Sequence, residues 1–247
     1  MRYSFFTLLL LSVFSLANAQ RVTPDTLPLK KGTLIIQPIQ HASLLLLSNG
    51  TTIYADPVGG AAKYSNLPSP DMILVTDIHG DHFDSATIAA IQTPKTILVV
   101  PQAVADKLPS FDKSRLVVLH NGDNSTQAGI KISAIPMYNL PISSDARHPK
   151  GRGNGYVLNI GGKNVYLSGD TQGVPEMRAL KNIEVAFVCM NLPYTMDVNE
   201  ASNAVLAFAP KVVYPYHYRG QDPNQFKALV NAGNKGIEVR VRDWYVK

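Results

Sequence analysis

"DMILVTDIHGDHFDSATIAAI", residues 71–91, packs three kinds of local signal into one run. Residues 71–77 are nearly continuously apolar, as expected of a strand buried on both faces. Residues 84–91 read as a helix with Asp84 or Ser85 as its N-cap. Between the two, Asp77, His79, Asp81 and His82 fall within six positions, and each can offer a metal a nitrogen or a carboxylate oxygen. Asp77 and His79 are two apart, so an extended backbone projects them to one side. Gly80 is expected to permit a sharp turn, after which Asp81 and His82 enter from a new direction.

Outward from this run, short β-forming segments dominate the first half: residues 33–39, 43–48 and 51–56, with a hairpin at Asn49-Gly50. Residues 96–100 and 115–119 read as two more buried strands with a short helix between them. The second half follows the same logic. Strands are expected over 130–136, 184–190, 211–217 and 236–244, and a hairpin over 155–170 turns at Gly161-Gly162. Helices are expected over 174–180, 197–209 and 222–232, and Asp197 and Glu200 resemble a capping box. No repeat, low-complexity tract or linker interrupts the chain. β-rich halves with helices following strands suggest two packed sheets with helices outside.

Composition narrows the function classes. With 45% hydrophobic and 17% charged residues over 247 positions, the chain has ample material for a core. Residues 1–19 read as a secretory signal peptide: Arg2, an apolar run from Phe5 to Leu16, then Ala17 and Ala19 in an A-x-A pattern. That run is too short to span a bilayer, which needs roughly 20 residues. The expected product is one exported domain over 20–247, periplasmic or secreted, with no stable membrane anchor. Cys189 is the single cysteine, so no internal disulfide can form, and it reads as a buried strand-end residue. The net charge of +5 becomes 5 − 1 = +4 without Arg2, and the basic residues are scattered. A nucleic-acid platform would want a broader basic stripe, so no nucleic-acid partner is expected and a small-molecule substrate is. Asn49 and Asn124 begin sequons that matter only in a source that glycosylates exported proteins.

The candidate ligands collect at strand ends, where such scaffolds gather functional groups. Asp77, His79, Asp81 and His82 follow one strand, Asp170 ends another in "YLSGDT", and His217 ends a third in "VVYPYHY". Two ligand pairs separated by a turn can serve two metal positions. A bridging Asp170 would hold them about 3.5–4 Å apart, as in two-metal hydrolytic sites.

With these residues in view, the chain resembles the metallo-β-lactamase superfamily. The signature His-x-His-x-Asp-His corresponds to "DIHGDH" (77–82), the bridging Gly-Asp-Thr to "SGDT" (168–171), and the late histidine to "PYHY" (215–218). His148 in "RHPKGRGNGY" is the candidate for the third-motif histidine. "QHASLLLLSNGTTIYADP" (40–57), "PEMRAL" and "PYTMDVNEASNAV" look like the branch holding ascorbate-phosphate lactonase-like and N-acyl-phosphatidylethanolamine phospholipase-like enzymes. The resemblance spans roughly residues 33–245. It implies an α/β (α+β) chain folded as a four-layer αββα sandwich with metals at one edge. It also implies two divalent metal ions, zinc first, with manganese or iron as alternatives. Site one would use Asp77, His79, His148 and Asp170; site two would use Asp81, His82, His217 and Asp170.

Two departures stand out. Asp77 replaces the usual first histidine, and Tyr138 and Asn139 follow the strand where the third-motif histidine is expected, so His148 must reach in from a loop. Asp77 is either an oxygen ligand that shifts preference away from zinc, or a residue that turns aside to orient His79 and leaves a single metal. The expected chemistry is attack by a metal-bound hydroxide on an ester, lactone, amide or phosphodiester bond. Asp81 would orient the attacking water, with His41 and Tyr194 as oxyanion partners. Asn191, Tyr216, Tyr218 and Arg219 are further candidates, and His120 reads as structural. The alternatives are a mononuclear-iron redox enzyme and a non-catalytic metal-binding protein on the same fold.

Overall fold

Alternation along the strands builds the layers. The computed structural model describes residues 21–108 and 111–246, so the leader expected over 1–19 lies outside the described residues. Seven strands form the first sheet in chain order: β1 (Asp25–Pro28), β2 (Thr33–Gln40), β3 (Ser43–Ser48), β4 (Thr51–Ala55), β5 (Met72–Leu74), β6 (Ile97–Val100) and β7 (Leu116–Val118). Seven more form the second: β8 (Asn124–Gln127), β9 (Ile130–Met137), β10 (Gly153–Ile160), β11 (Lys163–Leu167), β12 (Ile183–Cys189), β13 (Val212–Tyr216) and β14 (Glu238–Val239). In each sheet the first four strands pair antiparallel and the last three continue in parallel. The two halves repeat one architecture without repeating a sequence.

Leu44, Leu46, Met72 and Leu74 of the first sheet share a core with Ile132, Tyr156, Leu158 and Val165 of the second. The intervening Leu45, Ile73 and Val75 point the other way, into a separate cluster with Ile88 of α1 (Ser85–Ile91) and Val104 of α2 (Gln102–Ala105). Period-two alternation with both faces apolar is what the continuous run before Asp77 encodes. On the far side, α3 (Pro175–Arg178), α4 (Val198–Phe208) and α5 (Pro223–Ala232) follow the strands of the second sheet, burying Met177, Val205, Phe208 and Phe226. The expected αββα sandwich is the observed one. No described helix is long and apolar enough to cross a membrane.

Three local expectations change. Residues 236–244 form only the two-residue β14; the chain then leaves the sheet, carrying Trp244 and Tyr245 towards His41. β1 and β8 have no counterpart in the sequence reading, because polar edge strands with one buried residue or none carry little hydrophobic pattern. The Asp197–Glu200 box is half made: the Asp197 carboxylate accepts from Glu200 N at 2.7 Å, while Glu200 accepts from Gly173 N at 2.9 Å. Glu200 thus ties α4 to the loop after Asp170.

Candidate metal centre

The polar cluster lies where chain segments leave the carboxyl ends of β4, β5, β11 and β13, the usual position of sites in such sheets. Asp56 follows β4, residues 77–82 follow β5, Asp170 follows β11 and His217 follows β13. His41 turns the β2–β3 hairpin, and His148 arrives on the loop between β9 and β10. His41, Asp56 and His217 all take left-handed backbone, at φ 49°, 44° and 48°. Such conformations cost non-glycine residues energy and persist only where the surroundings impose them. Here the imposition is mutual, since His217 N donates to His41 O at 3.1 Å and His41 N donates to Trp244 O at 3.0 Å.

Gly80 proves dispensable to the turn. His82 N and Phe83 N both donate to the His79 carbonyl, at 2.9 and 2.8 Å, and a Cβ on Gly80 would meet open space. Gly80 is absent from the positive-φ residues, so the turn does not draw on glycine's freedom. Gly169 is the glycine that matters here: its φ is +59°, and a Cβ would lie 2.5 Å from the Met137 sulfur. The hydroxyl of Tyr216 accepts from Gly169 N at 3.0 Å, and the Tyr218 hydroxyl donates to Arg242 O at 2.9 Å. Both tyrosines, candidates for oxyanion contact, are structural instead.

The side chains form two groups joined by Asp170. In the first, His82 Nε2, His217 Nε2 and Asp170 Oδ1 stand 3.2, 3.3 and 3.3 Å from one another. Asp81 Oδ2 lies 3.4 Å from His217 Nε2. Ligand atoms around a four-coordinate ion at roughly 2.0–2.1 Å are separated by about 3.3 Å, so these donors fit a shared cation. Asp170 Oδ1 makes no hydrogen bond among the described residues although it is buried. His82 is fully enclosed, with Nδ1 2.7 Å from Asp56 Oδ2, and Asp56 also accepts from Thr76 N and Thr76 Oγ1. This is the carboxylate–histidine support that fixes ring orientation in metal sites. Burial disfavours a charged His82, yet Asp170 and Asp56 raise its pKa well above the ordinary range. A position that attracts a proton so strongly attracts a cation for the same reason.

In the second group, Asp77 Oδ2 is 2.6 Å from His79 Nδ1 and 3.9 Å from His148 Nε2, which is 3.1 Å from Asp170 Oδ2. His148 is 1% exposed, and its Nε2 makes no hydrogen bond among the described residues. Asn139 explains how a loop histidine reaches this depth: its Oδ1 accepts from His148 N at 2.8 Å and lies 3.1 Å from His148 Nδ1. The residue standing where a histidine is expected therefore aims one from nine positions away. Asp77, wholly buried, is gripped by Arg152, with Nε 3.2 Å from Oδ1 and Nη2 3.1 Å from Oδ2. Burial alone would raise the Asp77 pKa, but the His79 contact and the nearby His82 and Arg152 charges hold it low.

All seven expected ligands thus come together in these groups. His41 joins them: Nε2 lies 3.2 Å from Asp81 Oδ2, Nδ1 lies 2.7 Å from the Tyr245 hydroxyl, and the ring centroid lies 3.7 Å from that of His217, tilted by 36°. Burial lowers its pKa; in the neutral tautomer protonated at Nε2, that nitrogen donates to Asp81 and Nδ1 accepts from Tyr245. Tyr194 is 44% exposed and stands in a cleft of about 470 Å³ with His79, Asp81, Asp170 and His217. Arg147 and Arg219 line the same cleft, Arg147 lying 5.2 Å above the Tyr194 ring. Cys189 is buried and its thiol is pushed up to about 11, mainly by burial, which makes it inert. His120 lies outside the cluster, two-thirds exposed and paired with Asp123.

Asp56, Arg152 and Tyr245 were not singled out from sequence. Asp56 had a usable signal, because it ends a buried strand run as Asp77 and Asp170 do. Arg152 had none, sitting in a basic, glycine-rich loop.

A family model described as "Beta-lactamase superfamily domain" matches residues 35–217. The chain belongs to the metallo-β-lactamase superfamily. A UPF0173 metal-dependent hydrolase of Pyrococcus abyssi is 32% identical over 191 residues, 72% of this chain and 82% of that relative. A solved structure from Parabacteroides distasonis, assigned as a metal-dependent hydrolase, superposes with TM-score 0.83 at 38% identity, covering 91% of this chain and 100% of that one. CmlA, a diiron β-hydroxylase from Streptomyces venezuelae, shares the fold at TM-score 0.66 and 19% identity, over 85% of this chain and 52% of its own. Within the superfamily this chain is a metal-dependent hydrolase. The relatives' UPF0173 designation names neither of the two enzymes that define the branch resembled in sequence.

Proposed function

We propose that this hydrolase works with two divalent cations and cleaves an ester, lactone, amide or phosphodiester bond in a small molecule carrying an anionic group. Asp77, His79, His148 and Asp170 would hold one cation and Asp81, His82, His217 and Asp170 the other, zinc first, with manganese or iron as alternatives. The observation that carries this reading is the near-equilateral triangle of His82, His217 and Asp170 atoms, left unsatisfied at Asp170 Oδ1 and open to the cleft. When bound, such cations polarise a carbonyl or phosphoryl oxygen and lower the pKa of water from about 15.7 towards about 7.

The chain's own groups do the rest. Asp81 is the half-exposed carboxylate of the cluster, held ionised by its contacts to His217 and His41 despite partial burial. It can accept a proton from an attacking water and pass it to the leaving group. His41, braced by Tyr245, keeps the Asp81 carboxylate turned towards His217. Arg147 and Arg219 face the cleft without a carboxylate partner among the described residues, which supports an anionic group on the substrate. Tyr194 and Asn191 line the same cleft and can contact the developing oxyanion. The leader-like residues 1–19 support export to the periplasm or beyond.

Elemental analysis of the purified full chain, with a panel of esters, lactones and phosphodiesters, tests the reading. Two divalent ions per chain and metal-dependent turnover that Asp81→Asn abolishes are expected. One iron per chain, oxygen consumption and no hydrolysis would replace it with the redox alternative. N-terminal sequencing of protein from the periplasmic or secreted fraction tests export, with Gln20 expected as the first residue.

A further inference from the structure

Asp77 is buried at the place where a histidine is expected, and it carries a charge that a neutral imidazole lacks. Arg152 meets that charge with a two-pronged guanidinium contact, Nε to Oδ1 and Nη2 to Oδ2, at 3.2 and 3.1 Å. Guanidinium is cationic at every working pH, and its planar fork matches a carboxylate in geometry as well as charge. Taken together the two side chains are neutral, with Oδ2 still facing His79 Nδ1 and His148 Nε2.

The backbone delivers this contact deliberately. β10 starts at Gly153, whose Cβ, if it had one, would stand 2.7 Å from the Thr76 carbonyl oxygen and 2.4 Å from Met137 Cε. Asn154 N donates to the same Thr76 carbonyl at 2.9 Å. The start of β10 therefore docks directly on the residue before Asp77, leaving Arg152, one position earlier, beside the carboxylate. Arg152 N also closes a turn on Pro149 O at 3.3 Å. One short loop of the second sheet thus brings His148 and the counter-charge of Asp77 to the same place.

We propose that Arg152 makes Asp77 the charge equivalent of a histidine ligand: the pair acts as one neutral, oxygen-donating unit in site one. Arg152 is a positioning residue, and neither member of the pair serves the site without the other. This rests on the two-cation reading above.

Compensation between two substitutions tests it. Apo protein is titrated with Zn2+ against a chromophoric chelator, for the full chain and for Asp77→His, Arg152→Gln, Arg152→Lys and the Asp77→His/Arg152→Gln double variant. The unaltered chain should take up two zinc ions. Asp77→His alone should bind one of them about 10–100-fold more weakly, the range for a lost supporting partner, because Arg152 then faces imidazole and cation with no carboxylate between. Adding Arg152→Gln should recover most of that loss. Arg152→Lys, which keeps the charge and loses the fork, should fall between the unaltered chain and Arg152→Gln. Melting curves in chelator show that each variant is folded, so a weak site is not an unfolded one. Two tight zinc ions in Asp77→His, or a double variant no better than that single one, overturns the proposal. One zinc ion or none in the unaltered chain removes the two-cation reading and the proposal with it, whereas two ions with no compensation in the double variant overturn the proposal alone.

Discussion

The two sides of the proposed two-cation centre share Asp170 and are built on opposite electrostatic plans. At site two a histidine, His82, is backed by a carboxylate, Asp56, at 2.7 Å. At site one a carboxylate, Asp77, is backed by a guanidinium, Arg152, at 3.1 Å. With His82 neutral, as a metal ligand must be, the first unit carries one negative charge and the second carries none, and Asp81 adds another negative charge to site two alone. Burial amplifies the difference, because charges in a low-dielectric site are weakly screened. Site two should therefore fill first when metal is limiting. Protein fold alone does not set this asymmetry: both groups draw on the segment after β5 of the first sheet and on segments of the second, and both include Asp170.

The largest effect should come from removing what the two sides have in common. Asp170→Ala is expected to weaken both cations and to lower turnover by more than about 100-fold, beyond the range of a supporting residue. Metal content and steady-state kinetics of the variant check this, and loss of only one ion would mean that Asp170 does not bridge. Next comes a substitution that should erase the asymmetry. Asp56→Asn removes the negative support of His82, and site two should weaken by about 10–100-fold while site one is spared. Calorimetric titration would then show the two affinities converging or changing order.

A smaller effect is expected from the backbone that carries Arg152. Gly153→Ala forces a Cβ against the Thr76 carbonyl and should destabilise the chain by about 1–3 kcal/mol, as overpacking does. For a domain of this size that is about 2–4 °C in Tm per kcal/mol, and the loss of metal should be confined to site one. The smallest change is a control outside the centre. Asp84 caps α1 by accepting from Ala86 N and Thr87 N, and Asp84→Ala should cost about 1 kcal/mol in thermal unfolding with both metal affinities unchanged.

The same contrast divides what was legible from what was not. The His82, His217, Asp170 and Asp81 group was nearly complete in the sequence, because Asp81 and His82 sit in a motif and His217 and Asp170 each end a run of buried β-formers. His148 was visible only as a candidate, and the Asn139 contact that aims it could not be read from a loop of polar residues. Asp56 and Tyr245 act through His82 and His41, and a residue that acts through another leaves no spacing of its own. Gly80 shows the reverse error: a glycine invites a conformational explanation, yet the turn is held by hydrogen bonds that any residue could make.

The sequence by itself determined the sandwich and singled out the candidate ligands, because both rest on local rules. Alternation over two apolar faces makes a buried strand, and chemistry-bearing residues collect where such strands end. Tertiary structure alone decided the partner of Asp77, since Arg152 is 75 positions away and reaches it from the other sheet. A charge can be read from one residue; its cancellation depends on which chain segment packs a few ångströms away.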